Sequence, residues 1–124
     1  MENKLSRTEE ALMVKLWELK KAYLRDLLDA YDEPKPATTT LATLLKRMRE
    51  KGYVDYTEHG KHREYYPLVK KSQYFSGQLK GMIRHFFNNS PTQFASFFTE
   101  STDLTEAELQ ELKKMIDEQL KSKK

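Results

Sequence analysis

The chain contains no cysteine, which removes disulfides, thiolate metal sites and cysteine nucleophiles together. Its glycines number only 4, and none sits in a phosphate-cradling loop. No apolar run approaches the ~18 residues of a membrane span. The opening segment, Met1 to Ser6, is polar and charged and does not read as a secretory signal, so the expected location is the cytoplasm. Histidine is sparse as well. His59, His62 and His85 are scattered, and although His59 and His62 have a spacing that can hold a metal, nothing supplies a third ligand. There is no nucleophile–base signature and no carboxylate pair in a catalytic setting. An enzyme is not expected, nor a cofactor, nor a metal.

Charge is what the sequence has in quantity. Of its 124 residues 33% are charged, which suits a thin core under much solvated surface. At this length the chain is one domain, or a small domain with an appendage, and burial between subunits is expected to add to its stability. The net charge of +3 says little, but its distribution says more. Met1 to Glu33 is slightly acidic, whereas from Pro34 to Arg63 the bases Lys35, Lys46, Arg47, Arg49, Lys51, Lys61 and Arg63 outnumber Glu50, Asp55 and Glu58. Such an excess can neutralise phosphates, and an ordinary solvated surface accounts for it equally well.

Helical spacing opens the chain. Ser6 with Glu9 forms a capping box, and Leu12, Met13, Leu16 and Trp17 follow on one face. Tyr23 to Tyr31 makes a second, short amphipathic helix with Leu24, Leu27 and Leu28. Asp32-Glu33-Pro34-Lys35-Pro36 breaks it. In the third helix Thr38 or Thr39 is the expected cap, and Leu41, Leu44, Leu45 and Met48 fall at i, i+3, i+4 and i+7. Gly52 ends it. The period then changes to that of strands, Tyr53 to Glu58 and Arg63 to Tyr66, joined by the polar linker His59-Gly60-Lys61-His62. Three helices followed by such a hairpin make a winged helix.

After Pro67 helical spacing returns with Phe75, Leu79, Met82, Ile83 and Phe86. Ser90-Pro91-Thr92-Gln93 has the form of a helix start and leads into Phe94, Phe97 and Phe98. Thr105 to Glu108 is another capping box, opening a helix whose stripe is Leu109, Leu112, Ile116 and Leu120. Lys121 to Lys124 form a basic end. The expected fold class is mostly α with a small β-hairpin: a winged helix-turn-helix domain over residues 1–70, then a helical dimerisation region over residues 71–124.

A helix that enters the major groove buries an apolar face and turns small and basic side chains outward. Thr39, Thr40, Ala42, Thr43, Lys46 and Arg47 fit that role, with Lys61 and Arg63 on the hairpin beside them. An amphipathic helix with a merely polar face gives the same pattern. The phenylalanines of the tail, Phe86, Phe87, Phe94, Phe97 and Phe98, can line a ligand pocket or pack across a dimer interface. For the interface the candidate residues are Phe75, Leu79, Met82, Ile83, Phe86, Phe94, Phe97, Phe98, Leu109, Leu112 and Ile116. A winged helix also serves as a protein-docking module, for which an acidic or apolar outward face is expected.

The order of these segments resembles that of the BlaI/MecI/CopY family of penicillinase and metal-homeostasis repressors over nearly the whole chain. The matching stretches are Ser6-Arg7-Thr8-Glu9 with Leu12-Met13 and Leu16-Trp17, then Thr40 to Met48 and Lys51-Gly52-Tyr53-Val54. Arg63 to Val69 closes the wing, and Asp103-Leu104-Thr105 with Glu108-Leu109 opens the last helix. The resemblance implies a homodimer binding an inverted repeat of double-stranded operator DNA. Thr40, Thr43 and Arg47 then belong to the recognition helix, and Lys61 and Arg63 lie by the DNA backbone. It implies release by a membrane-embedded sensor with a metalloprotease domain, usually in response to β-lactams. Aligning Asp103-Leu104-Thr105 puts the cleaved bond at Phe97–Phe98, with Phe97 where the family often has Asn. The cysteine-rich hook of the copper-responsive branch has no counterpart here.

Overall fold

The computed structural model describes residues 4–123. Met1, Glu2 and Asn3 of the polar opening, and Lys124 of the basic end, lie outside the described residues. Helix α1 (Arg7–Leu19) starts where Ser6 caps it: the Ser6 hydroxyl accepts from the Glu9 N–H, and the Glu9 carboxylate accepts from the Ser6 N–H. A two-residue strand β1 (Ala22–Tyr23) leads into α2 (Leu24–Asp29). The ammonium of Lys35 donates to the carbonyls of Leu28, Asp29 and Tyr31, satisfying acceptors that a helix end leaves open. Helix α3 (Thr38–Glu50) follows, then strands β2 (Val54–His59) and β3 (His62–Pro67).

Two local expectations are corrected here. The cap of α3 is neither Thr38 nor Thr39 but Ala37, whose extended backbone offers no side-chain acceptor. All three threonines, Thr38, Thr39 and Thr40, are therefore inside the helix. The hairpin linker is also shorter than four residues, because His59 pairs with His62 and only Gly60 and Lys61 remain in the turn. Gly60 sits at φ +65, which a tight turn at this position requires and a glycine adopts without strain. Pro67 is the last residue of β3 and lies opposite Val54. At a strand end its missing donor costs little.

The sheet is antiparallel with order β1-β3-β2. Its inner face and the three helices bury one core of Leu12, Met13, Leu16, Ala22, Leu27, Leu41, Leu45, Met48 and Val54, with Leu5, Leu44, Tyr65 and Tyr74 closing it. Burial of each large side chain contributes about 1.5–3 kcal/mol. This is a winged helix: mostly helical, with a small three-stranded sheet.

Helix α4 (Lys71–Phe86) begins against this core and is followed by α5 (Pro91–Ser101) and α6 (Glu106–Ser122). Its first turns are fixed by aromatic contacts. Trp17 lies 5.7 Å from Tyr74 and 5.8 Å from Phe75 between ring centroids, and the Trp17 N–H donates to the Val69 carbonyl at 2.8 Å. The Tyr74 hydroxyl donates to Glu10. The chain divides into two units, Met1–Gly77 and Gln78–Lys124, so α4 starts in one and ends in the other. In the second unit Ser90 caps α5 with Pro91 in its first turn, and Thr105 with Glu108 forms the capping box of α6. Phe87 packs on Phe94 and Phe97, and Phe94 on Phe98. None of the described residues of this unit is buried.

Candidate nucleic-acid interface

Helix α3 is built to face two ways. Leu41, Leu44, Leu45 and Met48 hold it to the core, so its orientation is rigid. Thr39, Thr40, Ala42, Thr43, Lys46 and Arg47 are all exposed on its other side. Thr39, Thr40, Thr43, Leu44 and Arg47 line a shallow surface depression. Within it the Thr43 hydroxyl donates to the Thr39 carbonyl at 2.9 Å. The outward face is thus small near its start and basic further on.

The end of α3 is anchored by an ion pair between half-buried Lys51 and buried Glu9. Lys51 donates to the Glu9 carboxylate at 2.6 Å and to the Lys4 carbonyl at 2.9 Å. Glu9 is only 1% exposed. Burial alone pushes its carboxyl up, but the hydrogen bond and charge of Lys51 and the bonds from Ser6 win, holding it below its ordinary value. One carboxylate therefore caps α1 and fixes the residue that follows α3. Gly52, at φ +89, then turns the chain into the hairpin.

The hairpin carries the second set of basic residues. Lys61, in the turn, and Arg63, in β3, are both exposed. On one side of the hairpin His59 lies 3.1 Å from the Glu64 carboxylate, and Tyr23 of β1 meets both His59 and His62 edge-on. The Arg63 guanidinium lies 4.4 Å from the centre of the Tyr56 ring. That ring has a second cation. Arg49, near the end of α3, stands 4.6 Å from the same centre, and its Nε donates to Asp55 at 2.8 Å. Hydrogen bonding from Arg49 and from the Tyr56 N–H holds the Asp55 carboxyl below its usual range. The sequence placed Arg49 in the basic excess but not in the site, and gave no signal for Tyr56. Diagonal neighbours across a hairpin become visible only once the strand register is known.

The tail candidates fall into three groups. Phe75 packs on Trp17 and Tyr74 in the first unit, yet it is still 40% exposed. Ile83, Phe94 and Leu112 are half-buried, while Leu79, Met82, Phe86, Phe97, Phe98, Leu109 and Ile116 are exposed. Phe97 and Phe98 lie inside α5. Among the described residues no group of three His, Asp or Glu side chains is placed to hold a metal, and no helix is long and apolar enough to cross a membrane.

Comparison with known proteins gives a consistent result. Residues 5–118 match the family model described as penicillinase repressor. The methicillin resistance regulatory protein MecI of Staphylococcus aureus (strain N315) is 26% identical over 121 residues, 94% of this chain and 98% of its own length. MecI of Staphylococcus epidermidis is similar to the same extent. The penicillinase repressor of Bacillus licheniformis is 26% identical over 85 residues, 68% of this chain and 66% of its own.

Proposed function

This chain belongs to the penicillinase repressor family of transcriptional regulators, and from that premise we propose that it is a homodimer that represses transcription by gripping palindromic operator DNA. The observation that carries the proposal is the exposed face of α3. Thr39, Thr40, Ala42 and Thr43 are small enough for close approach to base edges, and Lys46 and Arg47 reach bases or phosphates. Lys61 and Arg63 on the hairpin add sequence-independent contacts to the backbone. A protein-docking module would present an acidic or apolar face instead. Residues 1–70 are the reader, and residues 71–124 join two chains through the stripes of α4, α5 and α6. The regulated genes are those of β-lactam resistance or a related stress, and the protein acts in the cytoplasm.

Release follows from a cut between Phe97 and Phe98 by a membrane-embedded sensor metalloprotease. Cleavage there separates α6 from α4, so that α6 must associate at bulk rather than effective concentration, and operator affinity falls although no DNA-facing residue changes. Because the bond lies within helix α5, local unwinding has to precede cleavage.

The direct test is fluorescence anisotropy with operator-length palindromes, random duplexes and single strands across a salt series. Preference for one palindrome, with affinity falling as salt rises, is the expected result. Absence of any duplex preference overturns it. For release, the test is an immunoblot after β-lactam exposure: induction of target genes with the chain still full length rules out proteolysis.

A further inference from the structure

We propose that Tyr56 is a positioning residue that holds Arg49 and Arg63 together as one preformed clamp for DNA phosphates, a role that rests on the DNA reading above. Its two cations come from different elements, α3 and β3, yet each lies within 4.6 Å of the same ring centre. The guanidiniums are therefore about 9 Å apart at most, close enough to face one stretch of a nucleic-acid backbone, and each is attracted by the ring's quadrupole. Tyr56 itself is partly buried against the core and meets Tyr65 edge-on at 5.4 Å, so the platform is rigid.

The acidic neighbours orient this pair without consuming it. Asp55 takes only the Nε–H of Arg49, and among the described residues nothing else accepts a hydrogen bond from it, leaving its terminal N–H groups to bind. Glu58 lies directly across the hairpin from Arg63 and is exposed. Both arginines stay cationic, with Asp55 bonding to Arg49 and Tyr65 to Arg63. A guanidinium presents a planar fork of donors that matches a phosphate. Ordering two such side chains in advance spares the entropy that binding otherwise loses.

The proposal is tested with the full-length protein and a random-sequence duplex of about 30 base pairs, since phosphate contacts are independent of sequence. Arg49→Ala with Arg63→Ala should make the slope of log affinity against log salt shallower by roughly 1.8, at about 0.9 per phosphate. Tyr56→Leu should weaken binding about tenfold, Tyr56→Phe should keep binding within about twofold, and Tyr56→Leu should add nothing once both arginines are gone. Thermal melts separate this from a folding defect, and if Tyr56→Leu does not fold, the double arginine variant alone decides. A slope unchanged in that variant overturns the clamp and leaves the DNA reading standing; so does a folded Tyr56→Leu that binds like the unaltered chain. Failure of the unaltered chain to bind any duplex overturns both.

Discussion

Glu9 is a charged side chain held at 1% exposure in an apolar core, and it is tolerable there because Lys51 and Ser6 satisfy it. Its carboxyl is held below the ordinary value of 4.5. The stabilisation is therefore complete above the unfolded carboxyl range and disappears as pH falls through the folded value. Melting temperature should drop on the acid side of that range, and Glu9→Gln should flatten the drop; an equal drop in the variant assigns the acid sensitivity to other groups. Lys51→Ala leaves the carboxylate without its cation and should cost about 3 kcal/mol in urea unfolding. On the outer face the signs of loss differ. Arg47→Ala should cost about 1–3 kcal/mol on the preferred palindrome if Arg47 reads a base. Competition against scrambled duplex measures this, and an equal loss on both sequences reassigns Arg47 to the backbone.

Helix α4 holds Gly77 and Gly81 in its interior, and a Cβ added at either meets nothing within 4 Å. Glycine inside a helix is less favourable than alanine by about 0.5–1 kcal/mol. Gly77→Ala and Gly81→Ala should each raise thermal stability by that order, and a lower melting temperature shows that a second chain fills the space. The capped starts of α1, α5 and α6 were legible because Ser6, Ser90 and Thr105 each work with a residue three positions on. The core stripe of α3 was legible from its period. Other features depend on contacts distant in sequence. β1 is two residues long and has no period to detect; Ala22 and Tyr23 become a strand only by pairing with Tyr65 and Glu64. His59 and His62 look like loop because polar residues at a hairpin tip show no alternation, although they pair. Consecutive threonines suggested a side-chain cap for α3, but the cap is Ala37, which has no side-chain acceptor for a sequence pattern to reveal. Of the site, the threonines, Lys46, Arg47 and Lys61 could be placed on exposed faces from sequence. The sharing of Tyr56 by Arg49 and Arg63 could not, since it joins a helix end to a diagonal pair across two strands.

At the scale of the whole molecule, the first unit has a buried core and the second has none among its described residues. Phe86 is 78% exposed and Ile116 59%, more apolar surface than three short helices normally leave in water. Ile116→Asp changes a side chain that lies mostly in solvent. Sedimentation should nevertheless show the variant moving from dimer to monomer at micromolar concentration, with palindrome affinity collapsing while half-site affinity stays. A variant that remains a dimer removes this stripe from the interface. In the proposed dimer Ile116 and its neighbours are covered only when two chains meet, and the amount of working protein would then follow the square of the amount made, wherever the chain is scarcer than its dimer constant. Halving the supply then cuts the bound form about fourfold. An exposed stripe on the last helix thus becomes a property of timing: as cells divide and dilute the protein, the genes it silences reopen more abruptly than its disappearance alone would dictate.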